Sequence, residues 1–322
     1  MEAINHGIDV CEYFYADSVN DSVKMIFNAI YAAGGGGGME ITMFKIVRKI
    51  PLRETLVLLE IEAPLVARKA EPGQFIILRV DENGERIPLT IHDFDRENGT
   101  VSIIFQVVGA TTVRLNQIKE GEALADFVGP LGNATETEGL KKVAVVGGGV
   151  GCAIAYPIAK KLHEQGTEVH SIIGFKNKDL VILEKEFDAV SKVIRLVTDD
   201  GSYGEKGLVT EALKAMIDEG NEYDEVIAIG PMPMMKFTTL VTEPYGIKTV
   251  VSMSPIMIDG TGMCGGCRVS VGGEMKFACV DGPDFDGHLV DFDLAMKRSA
   301  MYKGFERQAY DDECNLLNRE IR

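Results

Sequence analysis

Basic residues are scarce in this 322-residue chain: 33 Lys and Arg stand against 49 Asp and Glu, a formal net charge of −16. Nucleic acid and anionic membrane surfaces would both repel such a chain, so neither is an expected partner. No apolar run reaches the roughly 18 residues needed to span a bilayer. The opening "MEAINHGIDVCEYFY" lacks the basic start and apolar stretch of a secretory signal, so the expected compartment is the cytoplasm. Cysteine is sparse as well: six residues are too few for a disulfide scaffold, and a clustered pair reads instead as a metal or redox site. What is present is a globular composition, 46% hydrophobic, long enough for two or three domains.

Residues 1–38 end in the five-glycine run of "AAGGGGGM", which cannot hold a packed element and reads as a flexible extension. The helix-like "DSVKMIFNAIYAA" inside it reads as a tail without a catalytic role or a short docking segment; Met39 or Met43 is an alternative start. Over 39–137 apolar residues recur with period two, in "FKIVRKI", "TLVLLEI", "FIILRV", "RIPLTI" and "TVSIIFQVV", punctuated by Asn83-Gly84 and Asn98-Gly99. Short strands without a long helix predict a small antiparallel β-barrel. Over 138–250 strands alternate with helical stretches: "KKVAVVGGG", "CAIAYPIAKKLHEQG", "EVHSIIGF", "KVIRLVTDD", "GLVTEALKAMIDEG", "EVIAIGP". That is β-α-β repetition, hence a parallel α/β domain with helices on both faces. Residues 251–322 carry the cysteine cluster and a polar tail.

"VAVVGGGVGCAIA" places a buried strand, a glycine turn and a helix start in succession. Gly147, Gly148, Gly149 and Gly151 let backbone approach a pyrophosphate at a helix N-terminus. The fingerprint is imperfect, because Cys152 takes the last glycine position, and a tight turn without ligand is the plainer alternative. The acidic ribose ligand expected after the second strand is absent; "IIGFKNKD" offers Lys176 and Lys178 there. A basic residue suits a 2′-phosphate, so NADP(H) stands beside NAD(H); plain solvated lysines are the other reading.

"DGTGMCGGCRVSVGGEMKFAC" holds Cys264-x2-Cys267 and then Cys279 after eleven intervening residues. Three cysteines and one further donor could make a structural zinc site. The ferredoxin spacing C-x4-C-x2-C fits better, with Asp259 in place of the first cysteine. Cys152, Cys314 and His288 are the other candidates for the fourth ligand. The ferredoxin register selects Asp259, and a [2Fe-2S] cluster over zinc.

Together, glycine loop and cluster resemble the iron–sulfur branch of the ferredoxin reductase superfamily, from about Met43 to Arg322. The branch includes the small subunit of NADH-dependent reduced ferredoxin:NADP oxidoreductase and the electron-transfer subunit of dihydroorotate dehydrogenase. The resemblance implies an FAD-binding barrel, a nicotinamide-nucleotide domain and a [2Fe-2S] loop. "PGQF" (Pro72–Phe75) is similar to the strand entry beside the flavin. "RIPLT" resembles the R-P-x-S/T flavin motif through Arg86, Pro88, Leu89 and Thr90, with the Thr90 hydroxyl at the reactive ring edge. "IFQVVGATT" resembles the next FAD segment, with Ile104, Phe105 and Gln106 near the adenosine half and the backbone of Thr111 and Thr112 on the pyrophosphate. "TDDGSYGEKG" and "IGPMPMMK" are similar to nucleotide-domain signatures, implicating Thr198, Asp199, Gly230 and Pro231. Two departures stand out: Arg86 falls one residue early for the motif, and Ile229 replaces the cysteine often found before that glycine.

The resemblance implies no side-chain acid or base, only hydride exchange between NAD(H) and FAD and single-electron exchange between FAD and the cluster. A larger flavin and iron–sulfur subunit would make the heterodimer, perform electron bifurcation and dock ferredoxin. The alternatives are the dihydroorotate dehydrogenase subunit, in which Cys rather than Asp is expected at 259, a stand-alone NADH:acceptor reductase, and a zinc-stabilised nucleotide-binding regulator.

Overall fold

The computed structural model describes residues 44–320, with side chains to residue 315. The extension 1–38, its helical stretch and the alternative starts at Met39 and Met43 lie outside the described residues.

Among the described residues, six antiparallel strands form the first sheet: β1 (Ile46–Arg53), β2 (Leu56–Glu62), β3 (Phe75–Arg79), β4 (Arg86–Asp95), β5 (Thr100–Gln106) and β6 (Asp126–Leu131). Their order is β1-β2-β5-β4-β3-β6, and a bridge between Lys45 and Ala123 joins the two ends. Period-two alternation drives this closure, since residues two apart on a strand share a face. Leu59, Ile61, Ile76, Leu78, Ile91, Ile103 and Phe105 all point into one interior cluster and are essentially inaccessible. The two Asn-Gly pairs sit in longer connections than a two-residue hairpin, one bracketed by Arg79 and Arg86, the other by Asp95 and Thr100. Two one-turn-and-a-half helices, α1 (Pro64–Lys69) and α2 (Ala110–Leu115), cap the barrel.

The second sheet contains β7 (Lys142–Gly148), β8 (Glu168–Phe175), β9 (Val193–Thr198), β10 (Glu205–Lys206), β11 (Glu225–Ile229), β12 (Lys248–Ser252) and β15 (Asp284–Asp286). Its order is β10-β9-β8-β7-β11-β12-β15, parallel throughout except for β15. Helices α3 (Gly151–Glu164) and α4 (Glu184–Val190) cover one face; α5 (Val209–Asp218) and α6 (Met232–Thr242) cover the other. The strands read as continuous apolar runs because both faces are buried. Because β15 comes from the C-terminal segment, that segment is stitched to the nucleotide sheet. Barrel, sheet and C-terminal module form one compact unit. A last pair of helices, α7 (Phe292–Ser299) and α8 (Lys303–Glu320), follows; Glu313 of α8 reaches Arg114 of α2 at 2.7 Å.

The seam between barrel and parallel sheet is chiefly apolar. Leu56 and Ile104 of the barrel are buried among Val143, Val145 and Ile158 of the nucleotide domain. Each such burial contributes on the order of 2 kcal/mol. The half-exposed Lys160–Asp93 pair at 3.6 Å, crossing the same seam, contributes under about 1 kcal/mol.

At the opposite end of the sheet from the glycine loop, Glu168 is gripped by Lys192 at 2.9 Å and Lys142 at 3.1 Å. Hydrogen bonds from these two ammonium groups hold its pKa down to about 2, against 4.5 for a free side chain. A depressed acid stabilises the fold fully above its unfolded pKa and loses that contribution as pH falls through the folded one. Glu168→Gln should therefore lower the melting temperature at pH 7, and the gap from wild type should close as pH falls from 4.5 toward 2. An equal gap at both ends of that range in thermal scans would contradict the assignment.

Candidate redox site

The eleven-residue spacing of Cys267 and Cys279 is a hairpin. Strands β13 (Arg268–Val271) and β14 (Glu274–Phe277) pair antiparallel, with Arg268 opposite Phe277 and Val271 opposite Glu274. Gly272 and Gly273 turn the corner at φ +60° and +82°, the two positive values that a tight hairpin needs. The register carries Ala278 back to Cys267, whose carbonyl accepts its N–H at 3.1 Å. Cys279 thus returns beside Cys267, the sulfurs 3.2 Å apart and both residues buried. Two thiolates on one tetrahedral metal lie about 3.7 Å apart, so this pair is close to the spacing that one metal ion demands. Burial, followed by the hydrogen bond with Cys267, pushes the free Cys279 thiol up to about 12.

Asp259 and Cys264 sit at the other side of the loop. The Asp259 carboxylate accepts the N–H of Thr261 and of Cys264, each at 2.8 Å. Burial works to raise its pKa, but these backbone donors outweigh it and hold the carboxyl below the usual range. It is therefore an anion beside Cys264, and its charge is also felt at Cys279. Cys264 is exposed, and Gly266 donates to its sulfur at 3.4 Å. Arg298 of α7 donates to the Gly266 carbonyl at 3.2 Å, and Arg268 approaches Gly265. Sequence reasoning passed over both cations; Arg268 immediately follows Cys267, which is the one signal available. Among the described residues no three metal-ligating side chains converge in a ready-made cage.

The other fourth-ligand candidates are engaged elsewhere. Cys152 is fully buried in α3 against Gly147, and burial raises its thiol pKa far above the ordinary value. His288 meets the Ile247 carbonyl at 3.0 Å, at the far end of β12 from the cluster loop. Cys314 lies on α8 beside Tyr310.

At the nucleotide loop, β7 ends at Gly148 and α3 begins at Gly151. Gly149 has φ +57° and nothing within 4 Å of where a side chain would start, so it borders open space at the helix N-terminus. A Cβ on Gly151 would lie 2.4 Å from the Ile229 carbonyl oxygen, and one on Gly230 would lie 3.2 Å from Gly148 Cα. The structure thus brings Gly147–Gly151 and Gly230-Pro231, eighty residues apart, to one sheet edge. Thr198 is buried with its hydroxyl spent on Tyr203, donating to the carbonyl at 2.6 Å and accepting the N–H at 3.2 Å. Asp199 is exposed after β9. Lys176 is exposed; the Lys178 ammonium lies 5.7 Å over the Tyr203 ring, whose hydroxyl donates to Glu184 at 3.0 Å.

On the barrel, Pro88, Leu89 and Thr90 form a half-buried row along β4. Arg86 is 3.7 Å from Asp126, which Arg79 already holds at 2.6 Å. Three successive strand residues cannot share a face. Ile104 faces the nucleotide domain, Phe105 faces the barrel core, and Gln106 is half-buried at the strand end. Only the backbone of Phe105 is left for a ligand. Thr111 donates to Glu85 at 3.3 Å, while the Thr112 hydroxyl accepts the Gly109 N–H at 2.9 Å and fixes the start of α2. Exposed Val108 stands before this turn.

The Thr90 strand and the loop that holds Gly260 are near neighbours. Phe75 pairs with Thr90 on one side and Leu131 on the other, two strand spacings or about 10 Å across. Gly260 packs directly on Leu131 and Ile77, which leaves no room for a side chain there.

Residues 254–291 match the iron–sulfur cluster binding domain of dihydroorotate dehydrogenase B, and 145–239 match the oxidoreductase NAD-binding domain. The chain is 48% identical over 267 residues to the dihydroorotate dehydrogenase B (NAD(+)) electron transfer subunit homolog of Thermotoga maritima, covering 83% of this chain and 94% of that one. It belongs to the dihydroorotate dehydrogenase B electron-transfer subunit family. An uncharacterized Clostridium beijerinckii protein is 54% identical over 275 residues, covering 83% and 93%. The solved structure of an NADH-dependent reduced ferredoxin-NADP oxidoreductase, reported for flavin-based electron bifurcation, superposes with TM-score 0.81 at 44% identity. That match covers 86% of this chain and 99% of the other. The cytochrome b5 reductase domain of Ulva prolifera nitrate reductase, TM-score 0.53 at 17% identity over 64% and 93%, shares the fold alone. As a member of this family the chain is an NADH-dependent flavin and iron–sulfur oxidoreductase subunit, with FAD, a [2Fe-2S] cluster and NAD(H) as its cofactors. No helix among the described residues is long and apolar enough to cross a membrane.

Proposed function

We propose that this chain is the NAD(H)-side electron-transfer subunit of a flavin-based electron-bifurcating complex, working in a heterodimer with a larger flavin and iron–sulfur subunit. The observation that carries the reading is the packing of the cluster loop on the strand that pairs with Thr90. Nicotinamide supplies hydride, flavin exchanges hydride on one side and single electrons on the other, and the cluster exchanges single electrons. The chain's own work is placement. Gly147, Gly148, Gly149, Gly151, Gly230 and Pro231 seat the dinucleotide at the C-terminal edge of the parallel sheet, with Thr198 and Asp199 closing the adjacent turn. Arg86, Pro88 and Thr90 line the flavin together with the backbone of Leu89, whose side chain packs on the barrel core. The strand end at Ile104–Gln106, through the backbone of Phe105, carries the flavin's distal half with Thr111 and Thr112. Asp259, Cys264, Cys267 and Cys279 would hold the [2Fe-2S] cluster.

Around exposed Cys264 lie Met263, 86% exposed, with Ile258, Val280, Met301 and Tyr302 also open to solvent. An apolar rim beside the exit point for electrons suits a permanent partner subunit. Ferredoxin is acidic and would be repelled by this acidic chain, so its docking falls to the larger subunit. NAD(H) is favoured over NADP(H), because the Glu184 carboxylate, engaged by Tyr203, stands near Lys178 and would repel a 2′-phosphate drawn to that lysine.

The test is an anaerobic NADH titration of the purified full-length chain, with visible and electron paramagnetic resonance spectra. Flavin and cluster should both bleach, and Asp259→Cys should keep a cluster but alter its spectrum. An unaltered spectrum removes Asp259 as ligand; a colourless, zinc-containing protein overturns the whole reading. The second reading, a dihydroorotate dehydrogenase subunit, has the domain match over 254–291 in its favour. Dihydroorotate reducing the cluster of the assembled complex would select it.

A further inference from the structure

Helix α3 carries a proline at position 157, inside its fourteen residues. A proline has no N–H, and its ring crowds the carbonyl four residues back. That carbonyl belongs to Ala153, two residues beyond the glycine loop, and the helix itself leaves it without its regular donor. The His92 ring supplies one: Nδ1 lies 2.7 Å from the Ala153 oxygen. A carbonyl oxygen only accepts, so Nδ1 is the protonated nitrogen.

His92 reaches α3 because of an irregularity in the barrel. The β4–β5 register runs from Ile91 opposite Ile103 directly to Asp93 opposite Ser102, leaving His92 as the extra residue of a β-bulge. A bulge turns a side chain out of the regular alternation, and such devices recur beside active sites. The ring is 8% exposed and 5.7 Å from the Tyr156 ring, which meets Phe187 edge-on at 5.6 Å. Asp93, Lys160 and Glu186 complete its surroundings, and burial lowers its pKa, which favours the uncharged ring. Covalently, His92 is two residues from Thr90 on the flavin strand. Ala153 is two residues from Gly151 on the dinucleotide loop.

We infer that His92 is a positioning residue for hydride exchange: its bond to the proline-freed Ala153 carbonyl fixes the dinucleotide loop at working distance from the flavin strand. The inference rests on the functional reading above, and it adds a residue that neither the glycine fingerprint nor the flavin motif contains. The other polar contacts across this seam, Lys160–Asp93, Lys161–Glu71 and Arg53 with the Val181 carbonyl, are only partly buried. A buried hydrogen bond sets register as apolar contacts do not, because it has a direction and one length. Hydride transfer is sensitive to that register.

The experiment uses the full chain with its cofactors and compares wild type, His92→Asn, His92→Phe and His92→Phe/Pro157→Ala. Asparagine Nδ2 stands in for imidazole Nδ1. Alanine at 157 returns an N–H to the Ala153 carbonyl from within the helix, so the double variant repairs the unpaired acceptor without restoring the link to the barrel. In anaerobic stopped-flow at saturating NADH, His92→Phe should slow flavin reduction by about tenfold or more, and His92→Asn should recover most of it. The double variant should regain thermal stability but remain slow. A double variant as fast as wild type makes the bond merely structural and overturns the inference, as does a fast His92→Phe or a slow His92→Asn. If the double variant does not fold, the asparagine arm decides. Independently of activity, nitrogen NMR of histidine-labelled protein should report His92 as the Nδ1–H tautomer; the Nε2–H tautomer would refute it. Wild type that accepts no hydride from NADH at all fails the functional reading, whereas the tautomer measures His92 alone.

Discussion

Replacing Cys279 with serine is expected to strip iron and sulfide from the protein while leaving its flavin in place. The residue is 2% exposed, packed in the same apolar cluster as Val269, Ala278 and Phe285, at the return of the β13–β14 hairpin. Serine is nearly isosteric, and the hairpin is held by four residue pairs and its own glycine turn, so the local fold survives the change. What fails is chemistry: a hard, weakly acidic hydroxyl replaces a soft thiolate on iron. Altering partners that only support metal ligands already costs 10–100-fold in affinity or activity. Loss of a direct ligand should therefore reduce transfer to one-electron acceptors by at least about 10²-fold. Flavin reduction by NADH should persist, because the Thr90 strand and the glycine loop are untouched. Iron and sulfide analysis beside a stopped-flow trace separates the two steps. A variant that keeps its iron, or loses flavin reduction along with it, contradicts the separate seats assigned here to flavin and cluster.

Much of this architecture is legible in the sequence because periodicity reports burial. Period-two runs such as "TVSIIFQVV" become barrel strands with Ile103 and Phe105 inside. Apolar runs such as "KVAVVGG" become strands buried on both faces. The cysteine spacing is equally readable, since two four-residue strands around Gly272-Gly273 return Cys279 to Cys267. Assigning Ile104, Phe105 and Gln106 as a block to one ligand ignores the alternation that identifies the strand. Other features leave little local trace. Strand β15 is only three residues, Asp284–Asp286, and exists because β12 offers an open edge. The bulge at His92 depends on the partner strand's register, and the role of Pro157 appears only once the ring of a residue 65 positions earlier is placed beside it. Long-range pairing decides these positions, and a one-dimensional pattern does not encode it.

Two glycines of the dinucleotide loop should fail in different ways, and the contrast shows whether the loop is a ligand cradle or only a tight turn. At Gly151 a Cβ would lie 2.4 Å from the Ile229 oxygen and 2.8 Å from Gly230 Cα, both backbone atoms that cannot rotate away. Gly151→Ala must therefore drive α3 off the end of β11. Overpacking of this kind costs about 2 kcal/mol, or about 5 °C in melting temperature for a domain of this size. Gly149 is the opposite case: no atom lies within 4 Å of its would-be side chain, and only φ +57° opposes substitution. That conformation costs an alanine about 1 kcal/mol, so the fold is barely disturbed. The new methyl, however, enters the open space at the N-terminus of α3, where a pyrophosphate would meet backbone N–H groups. Losing two such charge-assisted hydrogen bonds, at about 1.5 kcal/mol each, corresponds to about 10²-fold in NADH affinity. Gly149→Ala should thus lose NADH binding with little loss of melting temperature, whereas Gly151→Ala should lose both. Isothermal titration with NADH beside a thermal scan reads the pair. Should Gly149→Ala bind NADH as wild type does, the empty volume beside it is not the dinucleotide seat, and the glycines serve only to bring β7, α3 and Gly230 together.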